Sequence, residues 1–226
     1  QGIAQTFAMA GFRVILNDID SAAIERGIQA ISNSLERLQK KHPLPTTREA
    51  IMDRISGSNQ LSDMASVELV VEAIIENEEL KQGLFRQLDK ICPAQTILAS
   101  NTSSISITRI AAVTNRPDRV IGIHFMNPVP VMKLVEIICG LKTSESTYQT
   151  TSELVTRLEK EAICSQDRPG FIVNRILIPM INEAIFVLDE GVGNAEEIDS
   201  AMKLGAAHPL GPLALADLIG LDTCLS

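Results

Sequence analysis

Arg13-Val-Ile-Leu-Asn-Asp18 is a short apolar run closed by an acid, and it follows Gly2-Ile-Ala-Gln-Thr-Phe-Ala-Met-Ala-Gly11, whose apolar residues recur at helical spacing. A glycine just past the last apolar residue is a usual helix stop, because it takes up left-handed backbone without a Cβ clash. A continuous apolar run, rather than an alternating one, is the pattern of a strand buried on both faces. Helix then buried strand predicts helices packed on a parallel sheet.

The rest of the chain repeats that rhythm. Asp20 can cap a helix running to about residue 39, which Pro43-Leu-Pro45 breaks, and Thr47 opens a short helix through Ile55. Strands are predicted within 66–75, 96–100, 119–125 and 133–138, with helices over 77–90, 106–113 and 146–160. From 169 onward the pattern is nearly all helix, over 171–190, 195–204 and 213–219. These segments predict an α/β domain over 1–166, with a Rossmann-type doubly wound parallel sheet. A smaller all-helical domain follows over 167–226. The chain opens inside a helix with no strand and no glycine-rich turn ahead of it, so the expectation is that both termini are truncated.

Composition narrows the function. Among 226 residues, 45% are hydrophobic and 21% charged, a globular mixture. Twenty Lys+Arg against 28 Asp+Glu leave a net charge of −8, which argues against nucleic acid as a partner. With no Trp, one Tyr and six Phe, a base-stacking platform is not expected either. No apolar run approaches the ~20 residues of a membrane span. Cys92, Cys139, Cys164 and Cys224 are scattered without a C-x-x-C pair. That spacing suits thiols in a reducing compartment: the cytoplasm, or the mitochondrial matrix for a eukaryotic chain.

Four stretches carry polar groups where a parallel sheet collects ligands. Asp18 ends its strand where a dinucleotide fold uses an acid on the adenosine ribose, and its neighbours Ile19 and Asp20 offer no arginine for a 2′-phosphate. The plain alternative is a solvated strand-end acid. Ser100-Asn-Thr-Ser-Ser104 follows an apolar strand directly, either facing the crevice or capping the next helix. His124-Phe-Met-Asn-Pro-Val-Pro-Val-Met-Lys-Leu-Val-Glu136 sets a histidine at a strand end and a carboxylate in an apolar strand, twelve positions apart. A strand–turn–strand path would join them, the carboxylate fixing the imidazole tautomer and raising its basicity. A core histidine with a Lys133–Glu136 surface pair is the alternative. Asn174, one turn beyond Phe171, is either a cleft amide or an exposed polar position.

Taken together, Gly2-Ile-Ala-Gln5, Asp18, Val71-Glu-Ala-Ile-Ile-Glu-Asn77, Ser100–Ser104, His124–Glu136, Pro169-Gly-Phe-Ile-Val-Asn-Arg175, Ala201-Met-Lys-Leu-Gly205 and Gly220-Leu-Asp222 resemble the L-3-hydroxyacyl-CoA dehydrogenases. The resemblance spans essentially the whole chain. It implies NAD as cofactor, an acyl-CoA substrate, a homodimer, and an active site in the cleft between the two domains. Carried over by position, it implies His124 as general base and Glu136 as its orienting partner, with Ser103 and Asn174 on the substrate oxygen. Asp18, Glu76, Lys81, Ser103 and Asn127 would meet the cofactor, and Ser34 and Lys41 the acyl-CoA. The expected chemistry is oxidation of an L-3-hydroxyacyl-CoA, as in β-oxidation. A relative acting on a small hydroxy or sugar acid, or a non-catalytic crystallin-like one, is the alternative.

Overall fold

A computed structural model describes residues 1–225 and divides the chain into two compact units at the Arg168–Pro169 junction. The first unit runs α1 (Gly2–Met9), β1 (Val14–Asn17), α2 (Ser21–Gln39), α3 (Arg48–Met52), β2 (Ile55–Ser58), β3 (Leu69–Glu72) and α4 (Glu78–Ile91). It continues β4 (Ile97–Ser100), α5 (Ile107–Ala111), β5 (Val120–Phe125), β6 (Leu134–Cys139), α6 (Glu145–Arg157) and β7 (Glu161–Gln166). The second unit is helical: α7 (Val173–Asp189), α8 (Ala195–Gly205), α9 (Pro212–Ile219) and α10 (Leu221–Leu225). No helix among the described residues is long and apolar enough to cross a membrane.

Five strands form one sheet in the order β3-β4-β5-β6-β7, and β1 with β2 forms a separate parallel pair. Every ladder is parallel except β5/β6. The loop 126–133 between those two strands explains the exception. A parallel neighbour needs a crossover of a dozen or more residues, whereas a short loop returns the chain antiparallel.

Burial follows the apolar runs. All residues of β4 and β5 are buried, and Phe7, Ile97, Ile121, Ile123, Phe125, Val135 and Ile137 pack in one core that also receives Val14, Leu69 and Val71. A second core joins Ala4 and Ala8 of α1 to Ile31 and Leu35 of α2 and Ile51 of α3. Each large aliphatic side chain removed from water contributes about 1.5–3 kcal/mol. Side chains of Asp20, Thr47, Asn77, Ser106, Ser144 and Asn194 each accept a backbone N–H at a helix start.

Three local expectations are corrected. The helix opened by Thr47 stops at Met52, and Ile55-Ser-Gly-Ser58 is a strand paired with β1. Gly57 permits that packing, since a Cβ there would stand 2.4 Å from Ile24 Cγ2 on α2. The helix expected to reach 160 stops at Arg157; Glu159 turns left-handed at φ 57°, and the chain enters β7, which reads as polar because most of its residues stay exposed. The helix expected from Phe171 starts at Val173, because Gly170 and Phe171 both have positive φ, 75° and 50°.

Candidate active site

β5 and β6 lie antiparallel with His124 directly opposite Glu136. His124 is 5% exposed and Glu136 fully buried, and imidazole Nδ1 stands 2.7 Å from carboxylate Oε2. Burying a carboxylate among Val135, Ile137 and Ile138 is tolerable only where hydrogen-bond donors meet it, and imidazole Nδ1 lies where it can donate one. A ring held at Nδ1 has one tautomer favoured and Nε2 oriented. The Lys133–Glu136 surface pair does not form; Lys133 Nζ donates to the Glu159 carbonyl at 3.3 Å.

A second cluster sits at the carboxyl ends of β3 and β4. Lys81, on α4, is 1% exposed, with its ammonium 2.6 Å from Glu72 Oε1 and 3.3 Å from Glu76 Oε2. Glu76 Oε1 accepts the Thr102 hydroxyl, the Ser103 amide at 3.0 Å and the Ser104 amide at 3.3 Å. Partial burial opposes the charge on Glu76, but the Thr102 hydroxyl, the Lys81 ammonium and the Ser103 amide outweigh it and hold the carboxyl below its ordinary range. Asn101 ties this loop to the histidine strand, since its Oδ1 accepts the Phe125 amide at 2.9 Å, one residue past His124.

The expected site residues thus fall into groups. His124 joins Glu136, and Glu76 and Lys81 join the Ser103 loop. Asn127 is exposed just beyond β5, Ser34 is half-buried on α2, and Lys41 is exposed past the end of that helix, while Lys40 beside it pairs with Glu36 at 2.9 Å. Among the described residues, no hydrogen bond or ion pair links Asp18, Ser34, Lys41 or Asn127 to either cluster. Asn174 belongs to the second unit, half-buried in the first turn of α7 rather than one turn past a helical Phe171.

Glu72, Asn101 and Thr102 lie in stretches that the sequence marked but received no individual role there. An acid inside the apolar run Leu69-Val-Val-Glu72 is the signal for Glu72, by the same reasoning that singled out Glu136. The individual roles of Asn101 and Thr102 carry no such signal, because their partners, Phe125 on β5 and Glu76 in the segment between β3 and α4, are distant in sequence. Asp167 likewise gains its role only in the fold: it accepts Ser106 Oγ at 2.7 Å, the Ile107 amide at 3.0 Å and the Thr108 amide at 2.8 Å. Burial opposes its charge, yet these donors hold its carboxyl below the usual range.

The carboxyl ends of the parallel strands fit a dinucleotide. Asp18 is exposed just past β1; its Oδ1 takes the Asp20 amide at 3.0 Å, leaving Oδ2 for an outside donor such as a ribose hydroxyl. Ile19 beside it is 97% exposed, and Ile75 past the end of β3 is 69% exposed, apolar surface suited to a planar ring. The fold also brings Arg26 to this end, where it pairs with Asp20 at 3.3 Å rather than with Asp18. Among the described residues no group of three metal-ligating side chains occurs.

Comparison with known proteins agrees with this geometry. Residues 1–168 match the family "3-hydroxyacyl-CoA dehydrogenase, NAD binding domain", and residues 170–226 match "3-hydroxyacyl-CoA dehydrogenase, C-terminal domain". The chain is 52% identical over 226 residues to the 3-hydroxybutyryl-CoA dehydrogenase of Bradyrhizobium diazoefficiens, covering all of this chain and 77% of that protein. It is 54% identical over 226 residues to a probable 3-hydroxybutyryl-CoA dehydrogenase of Bacillus subtilis, covering all of this chain and 79% of that one. The crystal structure of (S)-3-hydroxybutyryl-CoA dehydrogenase from Ralstonia eutropha superposes with a TM-score of 0.95 at 52% identity, over 99% of this chain and 80% of the other. An acid-bearing strand end suited to a dinucleotide, a buried histidine–glutamate pair and agreement along the full chain have one explanation: this protein belongs to the 3-hydroxyacyl-CoA dehydrogenase family.

Proposed function

We propose that this chain catalyses the reversible NAD-dependent oxidation of an L-3-hydroxyacyl-CoA to the 3-ketoacyl-CoA, with a four-carbon acyl group preferred. The buried His124–Glu136 pair, 2.7 Å apart, carries the reading. The names of the bacterial relatives support the short acyl chain.

In this reading His124 is the general base, taking the proton of the 3-hydroxyl on Nε2. Asp18, Glu76 and Asn127 would hold NAD, which would supply the acceptor for the hydride of the carbinol carbon. Glu136 holds the Nδ1–H and balances the imidazolium as it forms, which avoids leaving a new charge uncompensated in a buried site. Ser103 holds the reacting oxygen, so that proton and hydride leave from one fixed geometry. Asp18 takes the adenosine ribose hydroxyls, while Glu76, backed by Lys81, and Asn127 meet the nicotinamide half. Ser34 and Lys41 meet the acyl-CoA. Protein groups supply orientation and proton handling.

Exposed Ile176 and Phe186 on α7 and Leu218 on α9 support a homodimer through the helical unit, and four free thiols support a reducing compartment such as the bacterial cytoplasm. Light scattering checks the dimer. For the reaction, the purified protein is given NADH with acetoacetyl-CoA and, separately, with free acetoacetate. Rapid NADH oxidation by the thioester alone is expected. Absence of turnover, or equal turnover of the free acid, would overturn the reading.

A further inference from the structure

Glu72 is a fully buried carboxylate that the reaction outlined above does not use. Its side chain is 0% exposed, and each oxygen has assigned work. Oε1 takes the Lys81 ammonium at 2.6 Å and the Ile74 amide at 2.7 Å; Oε2 takes the Ser100 hydroxyl at 2.6 Å. Its own backbone carbonyl receives the Asn101 amide at 2.8 Å. One residue at the end of β3 therefore bonds to the start of α4, to the end of β4, and to the first residues of the serine loop.

From Glu72 two side-chain routes lead to the Thr102–Ser104 loop. One runs through Lys81 to Glu76 at 3.3 Å, and from Glu76 to the Ser103 and Ser104 amides. The other runs through the Ser100 hydroxyl, which accepts the Thr102 amide at 3.3 Å. Lys81, at 1% exposure and surrounded by Glu72, Glu76 and the Ile74 carbonyl, has no surface to offer a ligand. Its influence reaches the serine loop directly through Glu76 and indirectly through Glu72 and Ser100.

We propose that Glu72 is a positioning residue: with Lys81 it forms a buried charge pair that fixes Glu76 and thereby the Thr102–Ser104 loop that presents Ser103. The inference rests on the dehydrogenase reading for what Ser103 does, but the positional link stands on this unit's own geometry. A buried ion pair contributes little net stability compared with an apolar replacement, so its presence here calls for another role, and holding one loop arrangement is such a role. A small misplacement of substrate-positioning groups lowers the rate steeply.

Two variants test it. Glu72→Gln keeps the shape but leaves the Lys81 ammonium with one carboxylate, and destabilises the fold. Glu72→Gln/Lys81→Met removes both charges and restores stability while leaving Glu76 without its cation. The first readout needs no cofactor: amide hydrogen exchange at Ser103 and Ser104 in the ligand-free chain, expected to quicken about tenfold or more in both variants. The second is turnover of acetoacetyl-CoA with NADH, where kcat is expected to fall about tenfold to a hundredfold in the stable double variant. Unchanged exchange in the double variant would overturn the proposal, as would a double variant with parental kcat. A parent that turns over nothing, alongside variants whose serine amides exchange faster, would instead overturn the dehydrogenase reading and keep the positional link.

Discussion

His124 and Glu136 face one another across the single antiparallel pair of the sheet, so the backbone register itself delivers the carboxylate to imidazole Nδ1 at 2.7 Å. No side chain has to stretch to make that bond. A one-residue slip of β6 would turn Glu136 to the opposite face.

Replacing His124 with Gln is expected to lower kcat by about 10²–10⁴, the usual contribution of a general base, with NADH affinity changed less than about twofold. Steady-state turnover and calorimetric titration check this. A variant that keeps more than a tenth of the parental rate removes His124 from the role.

Glu136→Gln keeps an acceptor at hydrogen-bond distance from Nδ1 but removes the charge that balances an imidazolium. The expected outcome is a fall in kcat of about 10-fold to 10³-fold at nearly unchanged KM for the acyl-CoA. A matching loss in KM alone would assign Glu136 to substrate binding.

Asp18 bears on cofactor choice. A 2′-phosphate beside its exposed carboxylate meets like charge, and Arg26 is engaged by Asp20. We expect kcat/KM to favour NADH over NADPH by at least about tenfold, and Asp18→Ser to narrow that ratio. Equal efficiency with both cofactors in the parent would remove Asp18 from the ribose.

Asp167→Asn removes a carboxylate that accepts three donors at the start of α5. The expected loss is about 1.5–3 kcal/mol at neutral pH, measured by urea unfolding. Because the folded carboxyl titrates below its unfolded value, its contribution is fully present above the unfolded pKa of about 3.9 and disappears as pH falls through the folded one. The gap between parent and variant therefore closes on acidification. A gap that persists in acid would assign the loss to packing.

Gly122→Ala tests how closely the dyad's strands are packed. A Cβ at 122 would stand 2.8 Å from Ile138 Cβ and 2.9 Å from Ile107 Cγ1, two residues before His124. Overpacking of this kind destabilises by about 1–3 kcal/mol. Thermal melting checks it, and an unchanged melting temperature would mean that α5 moves aside freely.

Local chemistry made much of this protein legible in its sequence. Asp20, Asn77 and Ser106 marked helix starts, and Gly11 ended α1 with φ 95°. The apolar runs marked β1, β3, β4, β5 and β6, because a strand buried on both faces must be apolar throughout. Strand-end polarity drew attention to Asp18, Ser100–Ser104 and His124 for the same reason: polar groups closing such runs lie at the carboxyl ends of the strands, where ligands bind. Strands β2 and β7 were not legible, since neither contains a continuous apolar run and each is a strand only because a neighbour's backbone pairs with it. The partners of Glu72, Asn101 and Asp167 were equally hidden, for their donors arrive from segments 24 to 61 residues away as well as from nearby turns. Long-range register decides which donor meets which acceptor. Composition and spacing along the chain do not carry that information; only the packed sheet does.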